Sequence, residues 1–188
     1  MGKIVSNFFM ALDGVVEAPD QWHFPYFDDR MGAVIQAGVE STAAFLMGRV
    51  LYGEWSEFWP AQQRTKPDAA VDTANDFGAF INNVPKYVVS NTLRDATWNN
   101  TTIVAGDVAG RLRDIKDRTD GDITMSGSAT LVRFLLGEGL LDELHVLVHP
   151  IVVGHGRRLF ENPDPCPLRL VGHEVFDTGV LNLSYAPA

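Results

Sequence analysis

Apolar positions recur along this chain with two different periods. Short runs rich in β-branched and aromatic residues, each bounded by Gly, Pro or Asn, predict strands at Lys3–Phe9, Ala43–Met47, Lys86–Ser90, Ile123–Met125, Glu143–Ile151, Leu168–Val175 and Val180–Tyr185. Apolar residues three or four apart predict helices at Asp28–Val39, Arg49–Trp55, Asp107–Arg118 and Ala129–Glu138, with a short helix at Ala74–Ile81 after a polar loop, Pro60–Asn75. The helix at Asp107–Arg118 turns Val108, Leu112 and Ile115 inward and carries Arg113 and Asp117, four apart, on a solvated face. Alternating strands and helices require crossover connections, hence a largely parallel sheet. The last runs follow one another without a helix and predict an antiparallel edge. The expected fold is a mixed α/β sheet.

Composition narrows this to one unit. The chain has 188 residues, of which 46% are hydrophobic and 21% charged, with no repeat, low-complexity tract or long polar linker, so residues 1–188 are expected to form a single domain. Fifteen Lys and Arg stand against 24 Asp and Glu, a formal charge of −9 that repels phosphate backbones and anionic lipid. Neither a nucleic-acid nor a membrane partner is expected. The single cysteine, Cys166, sits between two prolines, which excludes an intrachain disulfide and a cysteine metal cluster and points to a reducing, cytoplasmic setting. The apolar stretch Phe8–Leu12 stops at Asp13, too short for a membrane span.

Candidate chemistry gathers where strands end. Met10-Ala11-Leu12-Asp13-Gly14 follows the first strand, and Asp13-Gly14 is also an ordinary turn pair. Gly48 and Arg49 link a strand to a helix, where free amides and a forked guanidinium suit an anion, as would any αβ connection with a surface arginine. Ser90, Asn91 and Thr92 can bond a ribose, a phosphate or their own backbone. Ser126, Gly127, Ser128, Ala129 and Thr130 can cradle a pyrophosphate at a helix start. In a parallel sheet these four ends share one edge and line one cleft, which favours an extended nucleotide cofactor.

Taken together, M-A-L-D-G, M-G-R-V-L-Y, K-Y-V-V-S-N-T-L, I-T-M-S-G-S-A-T-L and L-D-E-L-H-V-L-V-H-P-I-V-V-G-H-G-R-R-L-F resemble the dihydrofolate-reductase-like superfamily, in the branch similar to the C-terminal reductase domain of riboflavin biosynthesis. The resemblance runs in order along nearly the whole chain. It implies a mixed eight-stranded sheet with flanking helices and NADPH lying across the strand ends. Gly48 and Arg49 would then touch phosphate, and Ser90, Asn91 and Thr92 would lie near the adenosine 2′-phosphate. Ser126 to Thr130 would hold the pyrophosphate, and Ala11, Leu12 and Asp13 would border the nicotinamide. It also implies a homodimer formed through the strand around Leu144–Val153. The chain departs from folate reductases on its first helix, where only Asp28 or Asp29 can stand for the acidic residue that binds a pterin.

Among the histidines, His145 and His149 share a strand face but lie roughly 13 Å apart, too far to share a metal ion, and are read as structural or interface residues. His23 is the histidine placed near substrate, and no metal is expected. The leading expectation is an NADPH-dependent reductase of a small heteroaromatic or carbonyl-type substrate, with Asp13 and Asp28 as acid or orienting groups. An NADPH-binding protein without turnover and a structural homodimeric domain are the alternatives.

Overall fold

The computed structural model describes residues 1–65, 73–161 and 165–188. Its strands are β1 (Lys3–Ala11), β2 (Thr42–Gly48), β3 (Lys86–Val89), β4 (Thr101–Val104), β5 (Asp122–Ser126), β6 (Glu143–His149), β7 (Leu168–Val175) and β8 (Leu181–Pro187). They form one sheet of eight in the order β4-β3-β2-β5-β1-β6-β8-β7. From β4 to β6 every pairing is parallel, and β8 runs antiparallel to both β6 and β7. The helices are α1 (Asp29–Ser41), α2 (Arg49–Thr65), α3 (Thr73–Asn83), α4 (Val108–Arg118) and α5 (Ala129–Gly137). The four strands expected to be parallel neighbours are so, as β3, β2, β5 and β1.

Side-chain alternation along the strands sorts the core into two faces. Ile4, Phe8, Leu46, Ile123 and Met125 point one way and pack under α4 and α5 through Leu112, Ile115, Val132 and Leu135. On the other face the covering is split. Phe45, Met47 and Val88 pack with Tyr52 of α2 and Ile81 of α3, whereas Met31 of α1 packs with Leu147, Phe176 and Val180. The centre of the sheet lies between these two clusters.

Three local expectations are corrected. The edge strand β4 escapes pattern reading because four residues, of which only Val104 is buried, give no measurable alternation. Helix α2 does not stop at Trp55 but continues through Pro60 to Thr65, so the first part of the expected Pro60–Asn75 loop is helical; residues 66–72 of it lie outside the described residues. A proline inside a helix costs about 3 kcal/mol. Here the helix is held by aromatic contact with α3, Trp59 lying 5.1 Å and Trp55 6.0 Å from Phe77 ring to ring. Strand β6 ends at His149 and not at Ile151, because Pro150 has no amide for the ladder. On α4, Arg113 reaches across to Glu138 at 3.6 Å.

Lys86, at the start of β3, is only 1% exposed, and its ammonium donates to the carbonyls of Ile81 and Val84 at 2.8 Å and of Asn82 at 3.3 Å. These are the last carbonyls of α3 and its exit turn, which have no helical partners. The charge also lies 4.7 Å from the Trp98 ring centre. Burial pushes the group down to about 8 from the usual 10.5. Between those two values the unfolded chain holds a proton that the folded chain releases, so this site makes stability rise with pH across that window. Lys86→Met should lower unfolding free energy at neutral pH by about 2 kcal/mol through the orphaned carbonyls and should flatten the alkaline rise, both readable in urea melts.

Candidate functional site

Four residues of the central strands face the gap between α1 and α2: Asn7 on β1, Thr124 and Ser126 on β5, and His145 on β6. The ladder aligns three of them, since Asn7 is opposite Ser126 on one side and opposite His145 on the other. This polar row floors a cleft of about 2250 Å³. Ordinary small-molecule pockets measure about 300–1,000 Å³, so this one has room for more than one ligand. Ile35 and Val39 of α1 form one wall, and Leu51, Trp55 and Phe58 of α2 the other.

At one end of the cleft the loops after β2 and β5 meet. Gly127 and Ser128 both adopt left-handed backbone, with φ of 68° and 59°. Ser128 precedes α5 but does not cap it, since its hydroxyl instead accepts the Gly48 amide at 2.9 Å. A side chain at position 48 would put its Cβ 3.2 Å from that hydroxyl, so glycine keeps the loops together. The first intrahelical bonds of α5 come from Leu131 and Val132 to the Ser128 carbonyl, so the Ala129 and Thr130 amides precede them and are open to an anion. Exposed Arg49 lines the same end, as does Asn91, whose carbonyl oxygen accepts the Gly106 amide at 2.9 Å and ties the ends of β3 and β4 together.

The structure does not bring every expected residue to the cleft. Ser90 is a turn former, its hydroxyl accepting the amides of Thr92 and Leu93 at 3.1 and 2.9 Å, and neither Ser90 nor Thr92 lines the cavity. Ala11 is buried, and Leu12 is 65% exposed away from it. Asp13 braces the 151–158 turn: it accepts the Gly154 amide at 2.8 Å and the Val153 amide at 3.5 Å, and Arg158 lies 4.0 Å off. The Gly154 amide is the main reason its carboxyl is held below the usual range. Asp28 is the N-cap of α1, accepting the Met31 amide at 2.8 Å. Both carboxylates expected to act on substrate are thus occupied in local structure and lie off the cleft. Asp29 lies in the first turn of the same helix.

His23 does line the cleft. Its ring stacks on Phe9 at 4.5 Å and lies 4.2 Å from Phe24, and Nδ1 is buried without a partner. Behind it, fully buried His149 sits edge-on to Phe9, Trp22 and Tyr26 with Nδ1 on the Leu147 carbonyl at 2.8 Å. His145 lines the cleft as well. Sequence reasoning passed over Asn7 and Thr124 too, although a polar residue in the middle of an apolar strand is a visible break in pattern. No cluster of metal-ligating side chains occurs among the described residues. No helix among them is long and apolar enough to cross a membrane.

A mixed eight-stranded sheet with a cleft that runs over one face of its parallel strands to their carboxyl ends is the dihydrofolate-reductase-like fold, a reductase-type architecture. The chain belongs to the RibD C-terminal domain family, which matches residues 2–182. It is 24% identical over 185 residues to the uncharacterized protein YyaP of Bacillus subtilis (strain 168), covering 97% of this chain and 94% of that protein. A putative riboflavin biosynthesis protein from Shewanella sp. PV-4 superimposes with a TM-score of 0.70 at 17% identity over 99% of both chains. Dihydrofolate reductase from Enterococcus faecalis, in complex with NADP(H), superimposes with a TM-score of 0.58 at 13% identity, covering 99% of this chain and 96% of that one.

Burial pushes both His23 and His149 below the usual 6.5. On acidification the unfolded chain therefore binds protons that the folded chain refuses, so stability is lost as pH falls below that value. His149→Phe, which keeps a flat ring in the cluster, should lose less stability than the wild type between about pH 7 and 5 in denaturant melts.

Proposed function

We propose that the protein is an NADPH-dependent reductase of a small planar heteroaromatic or carbonyl-type substrate. The observation that carries this reading is the uncapped start of α5, held against Gly48 and Arg49 at one end of a cleft far larger than one small ligand needs. The Ala129 and Thr130 amides and the Ser126-Gly127-Ser128 turn suit a pyrophosphate, and Arg49 with Asn91 suits the adenosine 2′-phosphate end. When bound, the reduced nicotinamide supplies a hydride. The chain's own residues orient and enclose: aromatic Trp55 and Phe58 and aliphatic Ile35 and Val39 offer flat apolar walls to a ring, and the polar floor addresses its heteroatoms.

The 2′-phosphate distinguishes NADPH from NADH, and losing a charge-assisted contact to it costs about 1.5–3 kcal/mol. Arg49→Ala should therefore weaken NADPH by roughly ten- to a hundredfold and NADH far less, measured by fluorescence titration of both cofactors. Unchanged NADPH affinity would leave Arg49 a surface residue. Binding by the wild type without oxidation across a substrate panel would favour a nucleotide-binding protein, and no binding at all would remove the reductase reading.

We further propose a homodimer. The Leu144–Val153 run expected to form it is not available for this, since β6 lies inside the sheet with Leu144, Val146, Leu147 and Val148 buried; Leu170, Val171 and Val175 on the terminal strand β7 are 48%, 45% and 59% exposed and suit pairing with a second copy instead. Light scattering at micromolar concentration should give twice the chain mass of 20.7 kDa, and a monomer mass rules the dimer out. The exposed free thiol of Cys166 suits a reducing compartment such as the cytoplasm.

A further inference from the structure

The cleft floor contains a histidine whose chemistry the reductase reading leaves unused. His145 lies beside Asn7 in the parallel ladder and lines the cleft, with its side chain 32% exposed. Its Nε2 is 3.0 Å from the Glu143 carboxylate, whose other oxygen accepts from the Lys3 ammonium at 2.9 Å. These hydrogen bonds, Lys3 first and His145 after, hold Glu143 below the usual carboxylate range, so it stays ionised. An ionised carboxylate at Nε2 requires a proton on that nitrogen, which leaves Nδ1 as the atom free to face a ligand. His145 also borders a second cavity of about 220 Å³, shared with Lys3, Asp122 and Glu143, so the ring has polar surroundings on both sides.

Of the carboxylates that line the cleft, Glu17 accepts the Arg157 amide, Asp107 caps α4 and Glu138 pairs with Arg113, while Asp20 in the loop after β1 and Glu54 on α2 stand outside the strand floor. Asp13 and Asp28 are spent on backbone amides elsewhere. His23 faces the cleft, but burial first and neighbouring His149 after it weaken its hold on a proton, with Asp20 opposing them.

The geometry points to His145, oriented by Glu143, as the catalytic residue that delivers a proton to the substrate. This rests on the reductase reading. In the step, a hydride from a reduced nicotinamide brings its electron pair to the carbon of a C=N or C=O bond. The π pair moves to the heteroatom and takes the proton from Nδ1–H of the imidazolium. The N–H pair stays on the ring, which becomes neutral and is reprotonated by water. Asn7, next in the row, can orient the same heteroatom through its amide. The substrate class is accordingly a planar ring or carbonyl compound whose nitrogen or oxygen must gain a proton as the neighbouring carbon gains the hydride.

The test uses the full chain with NADPH and three acceptors: dihydrofolate, a phosphoribosylaminouracil and a cyclic conjugated ketone. Where the wild type reduces one of them, His145→Gln should lower kcat by roughly 100- to 10,000-fold while NADPH affinity and the melting midpoint stay unchanged. The charged groups around the ring are Glu143 on its own strand, Lys3 on β1 and Asp122 on β5, while α1 contributes uncharged Gly38 and Ser41. Turnover within threefold of wild type overturns the proposal. Absence of both NADPH binding and turnover in the wild type instead overturns the reductase reading beneath it. A second measurement needs no turnover: ring-¹⁵N NMR should show His145 protonated at Nε2, and Glu143→Leu, which removes the acceptor, should abolish that preference. A ring state indifferent to Glu143→Leu overturns the proposal even if the chain binds NADPH and reduces none of the acceptors.

Discussion

The cleft exists because helices cover the centre of the sheet on one face only. Under α4 and α5 the strands present Ile4, Phe8, Ile123 and Met125 in a mainly apolar layer, with the small hydroxyl of Ser6 buried among them. On the opposite face α1 and α2 bury separate clusters over the flanks, and the strands between them carry Asn7, Thr124, Ser126 and His145. Polar groups at those positions would cost several kcal/mol under a packed helix, so an open gap above them is the arrangement their chemistry allows. The anion-binding end, the flat walls and the histidine–carboxylate pair all depend on that uncovered strip.

The same chemistry explains how the chain spends its titratable groups. Lys86 is buried without a counter-ion and is satisfied by the end of α3. Lys116 is likewise buried, and it reaches Asp142 at 2.6 Å and the Leu140 carbonyl at 3.1 Å beneath the other layer. Asp142 in turn accepts the Ile4 amide at 2.7 Å, which pins the start of β1 beside β6. These groups act at the amino ends of the parallel strands. Asp13 and Asp28 do comparable work in the loops, each accepting a backbone amide.

The two ends of the cleft differ in how far they could be read from sequence. Gly48, Arg49 and the run Ser126–Thr130 are local signals, small residues between a strand and a helix, and they line one end of the cleft. The strand floor is assembled from residues distant in sequence. His145 and Glu143 are two apart on one strand, but their meaning comes from Asn7 on the neighbouring strand and Lys3 at its start. Alternation alone made His145 one of two histidines on a face, and could not say that His149 would be fully buried under Trp22 and Tyr26 while His145 stayed open.

By itself the sequence determined the alternation of strands and helices, the largely parallel sheet, the antiparallel C-terminal edge and the small-residue turns at the strand ends. These follow from periodicity and from residues whose backbone preferences act within a few positions. Strand β4 and the far half of α2 were settled by tertiary contact: a four-residue edge strand needs β3 to exist, and a helix through Pro60 needs Phe77 of α3 against its tryptophans. The roles of Asp13, Asp28 and His145 were likewise decided in three dimensions. A side chain's chemistry depends on which of its partners arrive from elsewhere in the chain, and no local pattern records them.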